Sequence, residues 1–369
     1  MSDFFQNGRI ATLHNLGDRP LEAMEAELNE WAEKKPMCLV LPCLYSELQG
    51  PALENIIQEL SKVTYLDEVI IGLDRATEEE FEHAKTFFSR LPQRHHILWN
   101  DGPRLKAIDK VLDEYGLAPN ELGKGRNVWY CLGYALAQGR AKAVALHDCD
   151  ILTYKRDIVA KLFYPVVHPT FNYAFCKGYY YRAANGKLNG RVSRLLVSPL
   201  VRALEKVFGR DDYLEFIDSF RYPLAGEFSM IMDVVSSIRI PSDWGLEIGV
   251  LSEVNRRYSD ERVCQVDIAD AYDHKHQDLS KDNPEGGLSK MSTDISKSLF
   301  RKLAIKGTVF TPEAFRTIKA SYYRLALDLI DRYHNDAVIN GMTLDRNQEE
   351  NTVELFTKCI MRAGEQFLN

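Results

Sequence analysis

The chain has 369 residues and 42.3 kDa, with 45% hydrophobic and 27% charged residues; this ordinary globular composition excludes wholesale disorder and suits a large α/β core with an appendage. Forty-six basic against 53 acidic residues leave a charge of −7, which argues against a nucleic-acid partner while allowing a local basic pocket for one small anion. No run of 18 apolar residues and no leader pattern occurs, so no membrane partner is expected, and the seven scattered cysteines, without a CxxC pair, read as reduced core thiols of a cytoplasmic protein.

In residues 20–35, Leu21, Met24, Leu28 and Trp31 recur at helical spacing, predicting an amphipathic helix within an N-terminal helical segment, 1–35. Residues 37–45 are a continuous apolar run, the pattern of a buried parallel strand ending at Pro42, with a loop and a helix from about Ala52 to Lys62 after it. Residues 67–74 repeat that pattern, a strand stopping at Asp74, and 77–88 follow as a helix. A third strand near 95–100 and a fourth near 141–148 flank the helix that carries residues 128–137. Strands alternating with helices imply a mostly parallel sheet with helices on both faces, whose ligands sit at the carboxyl ends of the strands. Those ends carry Pro42 to Glu47, Asp74, Asn100 to Arg104, and Asp148 to Asp150.

The pattern is less regular after residue 170. An aromatic-rich strand is expected at 171–182, a turn at 184–190, and a helix pair divided at Pro199 over 191–208. A second glycine-containing turn lies at 223–228, a helix begins within 241–258, and 263–277 read as a strand leaving a histidine-rich tail. Residues 281–287 punctuate the last third, after which helical periodicity continues to the end. The chain thus divides into a first half over 36–150, a second half over 151–284 and a helical region over 285–369. The apolar stripe of that last region, Phe315, Ile318, Tyr322, Leu325, Leu327 and Ile330, covers the core or pairs with a second copy.

Four constellations could do chemistry. Asp148 and Asp150, two apart at the end of an apolar strand, can face a hard divalent cation or simply cap a solvated loop. Lys124, between two glycines before a helix, can approach an anion or lie in a surface turn; neither a Walker A nor a GxGxxG spacing is present. His274 and His276 would point the same way on a strand, as one metal ligand or as solvated side chains. Lys177, Tyr179 to Arg182, Lys187, Arg191 and Arg194 form a basic and aromatic cluster that could fork a phosphate or coat a sheet face.

Taken in order, LVLPCLYSE, LDEVIIGLD, GKG, HDCD, GRVSRLLVSPL, YPLAGEF, WGLEIGVL and AYDHKHQDL resemble the glucosyl-3-phosphoglycerate synthase family of retaining GT-A glycosyltransferases over roughly 36–300. The resemblance implies a GT-A fold with a helical C-terminal extension, 36–150 being its nucleotide-sugar-binding half and 151–284 its acceptor-binding half, a divalent metal (Mg²⁺ or Mn²⁺), and transfer of glucose from a nucleotide sugar, UDP-glucose favoured, to 3-phosphoglycerate. The product would supply glucosylglycerate, a compatible solute, and a homodimer is expected. By the same resemblance Pro42, Leu44, Glu47, Asp74, Lys124, Asp148, Cys149, Gly226 and Glu227 match donor positions. Asp150 and His274 match the metal site; Arg182, Arg191, Tyr181 and Leu224 match the acceptor region; and Glu247, with Asp148 and Lys124, matches the catalytic centre. The chain departs from the family at Tyr45 and Ser46, at Arg75 in place of serine, and in a longer stretch over 90–122. Alternatives are the same fold with GDP-glucose, GDP-mannose or free glycerate, a sugar-nucleotide pyrophosphorylase, and a non-catalytic binding protein.

Overall fold

A computed structural model of the chain describes residues 6, 8–17, 19–119, 121, 123–274 and 287–369. The first half holds β1 (Ala11–Leu13), α1 (Leu21–Ala32), β2 (Met37–Leu44), α2 (Pro51–Leu60), β3 (Leu66–Asp74) and α3 (Glu78–Phe88). It continues with β4 (Arg94–Trp99), α4 (Pro103–Glu114), α5 (Lys124–Gln138) and β5 (Ala143–Leu146). The expected strands and helices are present, some with local devices that fix them. Thr77 starts α3 through a reciprocal capping box with Glu80. Two elements are additions: β1 lies in the segment expected to be helical, and α4 fills the long stretch over 90–122.

β2 runs past Pro42 to Leu44, which corrects the expected end of that strand. A proline cannot donate to a sheet ladder, so it belongs where one side is unpaired. β5 accompanies β2 only from Met37 to Val40, whereas β3 pairs with it along its whole length. At Pro42 the strand is therefore already a local edge.

The second half holds α6 (Asp157–Val167), β6 (Phe175–Tyr180), β7 (Ala183–Ala184), β8 (Lys187–Leu188), α7 (Ser198–Phe208), α8 (Asp212–Asp218) and β9 (Phe228–Ile231). It ends with α9 (Met232–Ser237), α10 (Leu246–Arg257) and β10 (Val263–Ala269), before α11 (Gly287–Ile305), α12 (Pro312–Ile339) and α13 (Arg346–Leu368). The turn expected at 184–190 is the tip of the β7–β8 hairpin, with Asn185 and Gly186 both at positive φ, 53° and 69°. The division at Pro199 is corrected: a wide π turn, Val192–Val197, runs without a break into α7. Proline clashes with the carbonyl one α turn back, and the wider turn before Pro199 relieves that clash. His276 and the expected loop at 281–286 lie outside the described residues.

The sheet order is β1-β10-β6-β9-β5-β2-β3-β4, and among its strands β9 alone runs antiparallel to its neighbours. Both partners of β9 therefore point the same way, and so do the parallel blocks they belong to. One edge of the sheet collects the carboxyl ends of β2, β3, β5, β6 and β10 together with the start of β9. That edge positions the site.

Both faces of the sheet are buried. Met37, Leu39, Leu41 and Cys43 face a cluster with α1, α2, α3 and α6, while Cys38 and Val40 face α5, α7, α10 and the C-terminal helices. Removing each such Leu or Ile side chain from water contributes about 1.5–3 kcal/mol. Phe315, Ile318, Tyr322 and Ile330 are buried in the second cluster, so most of the α12 stripe covers this chain's own core. All seven cysteines are buried and free. Among the described residues no helix is long and apolar enough to cross a membrane.

Candidate active site

Alternation at the end of β5 sets the first groups. His147 donates its backbone N–H to Val40 O at 3.1 Å and buries its ring, with Nδ1 2.8 Å from the Tyr154 hydroxyl. Burial pulls the His147 pKa down to about 3, so this ring is a neutral prop. Cys149 is also turned inward, 3% exposed, and its side chain is therefore not part of the polar site. Asp148 and Asp150 take the opposite side and are half-buried.

Lys124 is the first residue of α5 and joins two carboxylates from distant elements. Its Nζ lies 2.6 Å from Asp148 Oδ1 and 2.9 Å from Glu247 Oε1, in the first turn of α10. Burial disfavours the ammonium, but Asp148 and Glu247 outweigh it and push the Lys124 pKa up, so the charge stays fixed. Burial raises Asp148 from the ordinary carboxylate range, against the pull of Lys124 and with a further push from Asp150. Gly125 lets α5 dock there: a Cβ on it would stand 2.2 Å from Pro241 O. Gly226 plays the same part under Asp148, because its Cβ would meet Asp148 Oδ2 at 2.3 Å.

Glu227 is fully enclosed and does not line an open site. Its oxygens accept from Tyr180 at 2.9 Å and Tyr272 at 2.8 Å, and the Asp148 N–H approaches Oε1 at 3.5 Å. Burial, then Asp148, raise its pKa, while Lys124 and the two tyrosines oppose the rise. The rings of Tyr180 and Tyr272 stack at 3.5 Å, and Tyr222 lies 5.0 Å from Tyr180. Beneath them Lys177, 1% exposed, donates to Ala225 O at 2.7 Å and has its pKa pulled down by burial to about 8. The aromatic run is legible along the chain, but nothing local in it signals that Tyr180, Tyr272 and Lys177 hold Glu227 and Ala225 from below.

His274 arrives by a single antiparallel bridge with Ile151, reinforced by Leu152 N–H donating to Asp273 O at 2.9 Å. That bridge brings His274 Nδ1 to 3.4 Å from Asp150 Oδ2. Burial works against the Asp150 charge, but His274 and then Lys124 outweigh it and lower its pKa. Asp150 Oδ1 is buried without a hydrogen-bond partner among the described residues. A buried carboxylate oxygen lacking a donor, beside an imidazole, is a donor set that fits a divalent ion.

Pro42, Leu44, Glu47 and Asp74 follow along the same edge, at the ends of β2 and β3. Asp74 is buried beside Asn100, which donates to it at 3.4 Å, and burial, then Asp101, raise its pKa. Arg75 next to it has φ 57°, a conformation its replacement of serine does not explain. On the other side of Asp148, Arg182 donates to the Tyr222 hydroxyl at 3.3 Å, Tyr181 is exposed and Leu224 packs against the core. Arg191 stands apart from these groups in its bonding, because it is paired with Glu349 of α13 at 3.0 Å.

No family model matches the chain. It is 46% identical over its whole length to the glucosyl-3-phosphoglycerate synthase of Persephonella marina, covering 91% of that protein. It is 39% identical over 99% of its length to that of Methanococcoides burtonii, covering 90% of that protein. The solved Mycobacterium tuberculosis glucosyl-3-phosphoglycerate synthase in complex with Mn²⁺, UDP-glucose and phosphoglyceric acid has the same fold, with a TM-score of 0.59 at 21% identity over 80% of this chain and 88% of that one. With two relatives matched along essentially the whole of this chain and the GT-A fold in common, the chain belongs to the glucosyl-3-phosphoglycerate synthase family and is a glycosyltransferase.

Proposed function

We propose that the chain transfers glucose from UDP-glucose to 3-phosphoglycerate, with retention at the anomeric carbon and dependence on a divalent metal. The observation that carries this reading is the Asp148–Lys124–Glu247 bridge set beside the Asp150–His274 pair. Solved structures of the Mycobacterium tuberculosis relative with Mn²⁺, UDP-glucose and phosphoglyceric acid support the choice of substrates.

Pro42, Leu44, Glu47 and Asp74 would hold the nucleotide along the ends of β2 and β3. Asp150 and His274 would hold the metal, which when bound supplies positive charge for the departing diphosphate. Lys124 keeps its proton, so its ammonium adds fixed charge at the same place without a proton transfer. Asp148, anchored from below by Gly226 and Glu227, faces the sugar side. Glu247 is held by Lys124 and orients the sugar or the acceptor hydroxyl. Arg182, Tyr181, Leu224 and Arg191 would receive the phosphorylated acceptor. The role carried with this reading is a cytoplasmic supply of glucosylglycerate. A homodimer completes it, with Val338 and Ile339 exposed at the end of α12; light scattering measures the assembly, and a monomer mass removes it.

The test is product formation from UDP-glucose and 3-phosphoglycerate with Mg²⁺ or Mn²⁺ and with EDTA, beside GDP-glucose, GDP-mannose and free glycerate. Metal-dependent turnover with the first pair is expected. Turnover only with another donor or acceptor would replace the substrates, and silence in every combination would overturn the reaction.

A further inference from the structure

Arg191 and Arg194 stand at the start of the helical rod 191–208 and converge on one carboxylate, Glu349, in the first turn of α13. Glu349 is 2% exposed. Its Oε1 accepts from Arg191 Nε at 3.0 Å and its Oε2 from Arg194 Nη1 at 2.8 Å. Gln348 Oε1 takes a second bond from Arg191, through Nη2 at 2.7 Å. Arg194 is otherwise fully engaged: Nε donates to Asn189 O at 2.8 Å, and its guanidinium carbon lies 4.8 Å from the centre of the Tyr333 ring.

Two further straps tie the C-terminal helices to the same loop. Thr343 N–H donates to Gly186 O at 2.8 Å, at the tip of the β7–β8 hairpin, and Tyr322 donates to Leu195 O at 2.6 Å. The hairpin closes on Arg182, because Asn189 N–H donates to Arg182 O at 2.7 Å and a Cβ on Gly190 would stand 3.5 Å from both Arg182 and Tyr222. The two arginines proposed for the acceptor thus sit at the two ends of one loop, and the C-terminal helices hold that loop in place.

A guanidinium offers its donors in one rigid plane. With the Nε–Nη2 edge of Arg191 taken by Glu349 and Gln348, the Nη1 end has no partner among the described residues, and the side chain is 30% exposed. One carboxylate between two guanidiniums also leaves a net single positive charge there. Resting on the acceptor reading above, we propose that Glu349 is a positioning residue for acceptor binding: it fixes Arg191 so that the Nη1 end meets the anionic group of the phosphorylated acceptor. Its charge is the working feature. A glutamine could keep one hydrogen bond but would leave two buried-side guanidiniums uncompensated, and the loop they hold would shift.

Steady-state kinetics of the full chain with UDP-glucose, 3-phosphoglycerate and Mn²⁺ test this on wild type, Glu349→Gln, Arg191→Met and the double variant. Glu349→Gln is expected to raise the acceptor KM about tenfold, with the donor KM and kcat within about twofold. In the Arg191→Met background it should add less than about twofold, since it acts through a group already gone. An unmoved acceptor KM, an equal change in donor KM, or effects that multiply in the double variant would each overturn the proposal. If Glu349→Gln does not melt cooperatively, Gln348→Ala carries the test: it removes the Nη2 contact from the exposed side, and a rise in acceptor KM of about threefold is expected, no rise overturning the idea. Wild-type silence with 3-phosphoglycerate overturns the acceptor reading beneath it; wild-type turnover with unmoved variants overturns the positioning role alone.

Discussion

The two ends of the proposed site are built in different ways. At the donor and metal end, Asp148, Asp150 and Asp74 lie on or just past the ends of parallel strands, and the sheet itself aims them. At the proposed acceptor end, Arg182 and Arg191 flank the β7–β8 hairpin outside that sheet, and Arg191 is paired with Glu349 of α13, 158 residues further on. A strand end is a rigid mount, whereas a loop borrows its rigidity from whatever packs on it. In the proposed reading, chemistry that every donor of this kind requires would sit on the rigid mount, and recognition of one acceptor on the strapped loop.

Substitutions can break that contrast, beginning with the metal pair. Asp150→Ala or His274→Ala should lower metal-dependent turnover by about 10³-fold or more, with the circular dichroism and melting curve of wild type. Retained turnover in either would remove these residues from the metal site. Lys124→Met should lower kcat by about 10²-fold, because a fixed charge is lost and Asp148 and Glu247 face each other unpaired; an effect confined to acceptor KM would place Lys124 at the wrong end. Glu227→Gln sits at the junction, and should lower kcat/KM for both substrates about tenfold by loosening the Asp148 backbone and the Tyr180–Tyr272 stack together. A change for one substrate alone would show that the ends are not mechanically joined there.

The smallest effect concerns Lys177, whose pKa falls to about 8 in the folded chain against 10.5 when free. Between those values the unfolded chain binds the extra proton, so this group's contribution to stability rises with pH from about 8 to 10.5. The melting temperature of wild type relative to Lys177→Met should therefore climb by a few °C across that window. A flat difference would mean that Lys177 is not buried as a titrating group.

Legibility in the sequence followed the same division. β2, β3 and β5 were readable because strands buried on both faces leave continuous apolar runs, and Asp148, Asp150 and Lys124 were readable because each belongs to a short local pattern. β1 has three residues and no pattern to read, and β9 begins directly out of the 223–228 turn. α4 went unread because none of its residues is buried, so no apolar face marks it. The resemblance matches Glu227 to a donor position, whereas its enclosure under two tyrosines, which bond both its oxygens, has no mark in the local sequence. Glu349 lies in the polar stretch 346–351, which reads as a solvated helix face; its burial depends on two arginines from a distant segment, and no local spacing records them.

The pairing of β1 with β10 has a consequence for synthesis. Ala11 and Cys264 are neighbours in the finished sheet, so during synthesis β1 must wait until more than two thirds of the chain has followed it. The block β5-β2-β3-β4 can close well before then, since its strands are consecutive or nearly so. The nascent chain would carry an assembled half-sheet with an open edge at β5 until β9 and β10 arrive, and the open edge is where a growing chain is most exposed to pairing with a stranger.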